Sequence, residues 1–125
     1  MLPLRFPKLW SALGWLLVAG VVVGSLAPGR AIQAVTVDDK LLHAGAYGLL
    51  MVWFSGLYRR GLYVVIAAAL FALGIALDLL QGLTRTRSFD WYDVAADLVG
   101  ILVGCALAFA LVGGWCQRVE RRLLS

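Results

Sequence analysis

Four stretches of the chain are apolar for long enough to cross a bilayer, and most polar positions fall between them. They are "LWSALGWLLVAGVVVGSLA" (residues 9–27), "LLHAGAYGLLMVWFSGLY" (41–58), "GLYVVIAAALFALGIALDLLQG" (61–82) and "VAADLVGILVGCALAFALVGGW" (94–115). Each is near the ~20 residues a spanning helix needs. Backbone groups in lipid must bond within their own segment, which makes these stretches helices. None alternates with the period of two that a membrane strand requires. The pattern predicts an all-α membrane protein of one domain, residues 1–125, built as a bundle of four transmembrane helices. The first stretch also carries marks of a signal peptide: Arg5 and Lys8 before it and "GSLA" at its end. Its apolar run is longer than a usual signal core, and Trp10 and Trp15 suit an interfacial anchor, so it is read as a span.

Composition strengthens this picture. The chain is 62% hydrophobic and 14% charged, where a soluble domain is about half apolar and about a quarter charged. Mean hydropathy is +0.90. A chain this short cannot hide so much apolar surface in its own core. The net charge of +4 sits in loops and termini without the aromatic interleaving of a nucleic-acid surface, so the expected partner is the lipid bilayer and not nucleic acid. Arg5, Lys8, Arg59, Arg60, Arg118, Arg121 and Arg122 share one side of the bundle, against Arg30, Lys40, Arg85 and Arg87 on the other. That excess predicts both termini in the cytoplasm. Cys105 and Cys116 lie in the same final run, ~16 Å apart if it is one helix, which is too far for a disulfide. No zinc-ligand spacing accompanies them, and they read as packing residues.

The acidic residues break the symmetry. Asp38, Asp39, Asp78, Asp90, Asp93 and Asp97 all lie in or beside the first and third loops, and only Glu120 lies at the other end. Orientation rules give acids little weight, so topology does not explain the skew. Three clusters result. In "DDKLLHAGAY", Asp39, His43 and Tyr47 recur every four residues on one helical face. A carboxylate there can fix the tautomer of His43, the only histidine, and suit it to general-base, metal-ligand or proton-relay chemistry. The bland alternative is a capping Asp39, a snorkelling Lys40 and a packed His43. In "DLLQ", Asp78 and Gln81 share a face after an uninterrupted apolar run; an acid there should point into the bundle unless the interface solvates it. In "RTRSFDWYDVAAD", Asp93 and Asp97 are four apart at a helix start. Asp93 also suits an N-cap, and Arg87 can reach back to a carboxylate with two hydrogen bonds. Below them Ala96, Gly100, Gly104 and Ala108 form a stripe of small residues, and Gly20 and Gly24 a second pair, which read as close helix packing.

Taken together, the order Asp39-Lys40-x-x-His43-x-x-x-Tyr47, Asp78-x-x-Gln81, Arg87 and Asp93-x-x-x-Asp97-x-x-Gly100-x-x-x-Gly104 resembles the VanZ-like family, small polytopic membrane proteins named for an accessory protein of teicoplanin resistance. The resemblance covers roughly residues 36–112. The family usually has Glu at the position of Asp78 and Asn at that of Asp97, so this chain carries one more acid in the cluster. The resemblance implies a bacterial inner-membrane location and a link to the cell envelope, and supplies no reaction.

The expected function is therefore binding of a lipid head group, a lipid-linked wall precursor or a glycopeptide at an outer-face cluster of Asp39, Lys40, His43, Tyr47, Asp78, Gln81, Arg87, Asp93 and Asp97. Two alternatives stand beside it. One is an intramembrane hydrolase or transferase with His43, Asp39 and Asp78 as candidate catalytic residues and Asp78, Asp93 and Asp97 as candidate ligands of a divalent cation. The other is a purely structural buried ion-pair network. No nucleophile lies beside His43, Ser88 being the only candidate in the third loop, so binding or architecture ranks above catalysis. No cofactor is expected, and a homo-oligomer is left open.

Overall fold

The computed structural model of the chain describes residues 2–26, 39–83 and 91–124. It is all-helical, with no strand among the described residues. Helix α1 is Pro7–Leu26 and α2 is Asp39–Ser55. A 3-10 turn, Arg60–Leu62, leads into α3, Tyr63–Gly82. Helix α4, Trp91–Leu107, widens into a π-helical turn, Ala108–Val112. A fifth helix, α5, is Trp115–Leu124.

Three segments are long and apolar enough to cross a membrane: Pro7–Gly24, Arg60–Leu80 and Trp91–Val112. The apolar part of α2, Leu41–Ser55, is shorter. The sequence pattern put a single helix from 94 to 115, but the chain turns before its end. The Gly113 amide bonds to the Ala108 carbonyl at 2.9 Å, and Gly114 follows with φ +73°, a conformation that suits glycine. Cys105 and Cys116 therefore sit in different helices, and both are free thiols. Helix α5 escaped the hydropathy pattern because it is amphipathic rather than apolar: Arg118, Arg121 and Arg122 are exposed while Cys116 and Glu120, one turn apart, are buried.

Contacts give the direction of each helix. Trp10 and Trp15 near the start of α1 meet Trp53 and Phe54 at the end of α2. His43 near the start of α2 faces Asp78 near the end of α3. It also meets Asp97 near the start of α4. So α2 runs against α1 and α3 and alongside α4. The contact of α2 with α4 is the most extensive in the molecule, and small residues create it. A methyl group built on Gly100 would collide with the carbonyl of Ala44, and one on Gly104 would lie 2.8 Å from the carbonyl oxygen of Gly48. The stripe on α4 thus lets two backbones touch. Gly20 and Gly24 have nothing within 4 Å of such a methyl, so that pair meets no other helix among the described residues.

The end that carries both termini is closed by a polar clasp. Glu120 accepts the amides of Arg5 (2.7 Å) and Phe6 (2.9 Å) and the Trp10 indole N–H (2.8 Å). The Trp53 indole donates to the Trp10 carbonyl at 3.1 Å and the Trp115 indole to the Val52 carbonyl at 2.8 Å. Three tryptophans so become packed residues with satisfied indole N–H groups. Burial pushes the Glu120 carboxyl up, but the Arg5 and Phe6 amides, the Trp10 indole and the Arg5 charge outweigh it and hold the group below its ordinary value of 4.5.

Two outcomes are expected. Gly100→Ala destabilises the protein by roughly 1–3 kcal/mol through overpacking, whereas Gly20→Ala leaves the melting temperature in detergent equal or slightly higher, given alanine's better helix propensity; equal effects would sink the crossing as the main constraint. For Glu120, a depressed folded pKa means a stabilisation complete above pH 4.5 and lost as pH falls below it through the lower folded value. Wild type should therefore melt above Glu120→Gln at neutral pH, and the gap should close on acidification.

Candidate functional site

The end of the bundle opposite the clasp gathers His43 from α2, Asp78 from α3 and Asp93 and Asp97 from α4, all buried. Asp93 lies in the first turn of α4 and not at its N-cap, because the helix begins at Trp91 instead of 94. Asp97, one turn on, projects from the same face, directly above the stripe that meets α2. That crossing carries His43 to it: Nδ1 of the ring is 2.8 Å from Asp97 Oδ1. With Asp97 ionised it can only accept, so the ring's Nδ1–H donates. The bond fixes the ring's tautomer and orientation. Asp78 Oδ1 stands 3.9 Å from the same nitrogen.

Two of the acids are short of hydrogen-bond donors among the described residues. Asp78 is 2% exposed and Asp97 0%. Both oxygens of Asp78 and Oδ2 of Asp97 are buried without a hydrogen-bond partner among the described residues. Within those residues His43 is the only basic group at ion-pair distance from either acid. A buried carboxylate left so costs several kcal/mol unless a proton or a positive charge compensates it. One ligand atom each from His43, Asp78 and Asp93 fall within 4.8 Å of one another. Among the described residues the cluster sets three carboxyls against one imidazole.

Of the other residues singled out from the sequence, Tyr47 is buried one turn below His43, within electrostatic reach of Asp97 and Asp78. Asp39 and Lys40 open α2 and Gln81 lies near the end of α3, with side chains outside the described residues. Arg85, Arg87, Ser88 and Asp90 also lie outside them. Among the described side chains, the carboxylate against His43 is Asp97, from another helix; the reading of Asp39 as its partner lies outside them. One contributor escaped sequence reasoning altogether. A methyl on Gly74 would sit 2.9 Å from Asp97 Oδ2, so the bare α-carbon gives that carboxylate its room. Its spacing of four before Asp78 puts it on the same face of α3 and was the available signal.

Because the chain has one histidine, the imidazole reports on the cluster by itself. Asp97→Asn and Gly74→Ala should each shift its nitrogen resonances, the first by removing the charged acceptor and the second by displacing it; a spectrum unmoved by both would mean that His43 and Asp97 are not bonded. Comparison of the chain with protein-family models, with curated proteins and with solved structures returned no match.

Proposed function

We propose that the chain is a multi-pass protein of the bacterial inner membrane, of the VanZ-like type, with α1 to α4 all crossing and both termini cytoplasmic. Its cluster of His43, Asp78, Asp93 and Asp97 then lies at the outer end and binds the head group of a cell-envelope ligand: a lipid, a lipid-linked wall precursor or a glycopeptide. Four crossings are supported by the clasp. The two termini bond to each other, and the Leu2 amide donates to the Leu57 carbonyl just after α2, so α2 leads back to the end where α1 begins. Its 17 residues span ~26 Å, short of the average hydrocarbon thickness of ~30 Å by an amount that local thinning accommodates.

The observation that carries a binding role is the unpartnered carboxylate of Asp78. The chain satisfies Glu120 with three N–H donors where an acid serves architecture. Asp78, more deeply buried, receives none from the described residues. A second, structural reading rests on the 2.8 Å bond between His43 and Asp97, which ties α2 to α4, but it leaves Asp78 unexplained. No reaction is assigned. Of the described serines in α2 and the loop after it, Ser55 lies at the opposite end and donates to the Val52 carbonyl at 2.6 Å, far from the one histidine that could activate a nucleophile.

In cells in which the protein changes sensitivity to a glycopeptide, Asp78→Asn and His43→Gln should abolish that change while the purified variants melt within a few degrees of wild type. Variants that fold and keep the phenotype would overturn the binding role; variants that unfold would favour the structural reading.

A further inference from the structure

We infer that the cluster is a divalent-cation site, with His43, Asp78 and Asp93 as ligands and Asp97 as the positioning residue that holds the His43 ring. This rests on the proposal that the cluster binds a ligand, and it names a positive charge that would compensate the Asp78 carboxylate.

The geometry comes first. Ligand atoms around a tetrahedral zinc ion, with bonds of ~2.0–2.2 Å, are ~3.4 Å apart. The three side chains already bring one ligand atom each within 4.8 Å of the others, so modest side-chain rotations close the set. The second observation is independent of that clustering. Asp78 is 2% exposed, both its oxygens lack a hydrogen-bond partner among the described residues, and Oδ1 stands 3.9 Å from Nδ1 of His43, the nitrogen that Asp97 holds. A carboxylate serving only packing would be shielded by donors, as Glu120 is.

The donor set narrows the ion. Imidazole suits zinc and its transition-metal neighbours, while carboxylates alone would suit magnesium, calcium or manganese. One imidazole with two carboxylates favours zinc, with manganese the nearest competitor. Asp97 supplies a further mark. A metal-bound histidine ordinarily gives its other ring N–H to a carboxylate, which fixes the ring and raises its basicity; Asp97 Oδ1 at 2.8 Å from Nδ1 is such a partner. Three protein ligands leave a coordination position open, and an oxygen of the envelope ligand can take it. With the cation bound, this acid-rich cluster can hold a phosphate or carboxylate oxygen.

The test uses the full-length, tag-free protein in detergent, stripped with a chelator and titrated separately with zinc and manganese by calorimetry, with bound metal counted. One ion per chain is expected, zinc tighter than manganese. Asp78→Asn and Asp93→Asn should each weaken zinc about 100-fold or more, Asp97→Asn about 10- to 100-fold, and Glu120→Gln not at all. Wild type gives a readout that needs no variant to fold: zinc should move the nitrogen resonances of the single imidazole. Resonances unmoved by zinc, no stoichiometric binding, or binding that survives in folded Asp78→Asn would each overturn the site. The two proposals separate cleanly. Loss of the cellular phenotype in a folded variant of a metal-free protein removes the cation and keeps the ligand site, whereas stoichiometric zinc lost in Asp78→Asn with an unchanged phenotype upholds the cation and removes the envelope role.

Discussion

The carbonyls of Ala44 and Gly48 press onto the α-carbons of Gly100 and Gly104, and this backbone contact between α2 and α4 governs the rest of the molecule. The two contacts are one helical turn apart on each helix, so they fix register as well as distance. Between apolar helices in lipid there is little hydrophobic drive to associate, and close packing of small residues replaces it. Above the crossing, the same register sets His43 beside Asp97. Below it, Gly104 meets Met51 and, further down, Trp115 reaches the Val52 carbonyl. Helix α3 is held more by the polar layer: Gly74 makes room for the Asp97 carboxylate, and Asp78 one turn on faces His43.

The long apolar helices were legible because their signal is compositional and local. α1, α3 and α4 stand in the sequence as apolar runs, and the bounds of α1 and α3 moved by at most two residues, whereas α4 starts three residues earlier and ends eight residues earlier. What was not legible depends on geometry that hydropathy does not encode. The π-turn at Ala108–Val112 and the reversal at Gly114 split one apolar run into two helices. Helix α5 is nearly a third arginine and reads as a tail until Cys116 and Glu120 are seen on one buried face. At the site, spacing identified which residues share a face but not which face meets which. His43 has an acid one turn before it, and spacing could not show that it also bonds Asp97, 54 positions away. Gly74 offered only its spacing of four before Asp78, since its contribution is the absence of a side chain.

The chain handles its buried acids in two different ways, and the difference is what gives the polar end its meaning. Glu120 bridges the first turn of α1 to α5 with every short contact a donated hydrogen. That arrangement is complete; adding a cation to it would displace donors already in place. At the other end Asp97 is half satisfied by His43, and Asp78 is held at full burial by helices that direct no described donor to it. Purely architectural selection would favour an apolar residue there, because packed hydrophobic replacements of buried ionic groups are commonly neutral or stabilising. Two acids and one imidazole converging from three helices, with room preserved by a glycine, impose a cost on the fold that a proton or a compensating positive charge removes. A bound cation recovers that cost in the folded state alone, since the three helices assemble its ligands and the unfolded chain does not. Occupancy of the polar end would then report on, and reinforce, the same α2–α4 crossing that builds it.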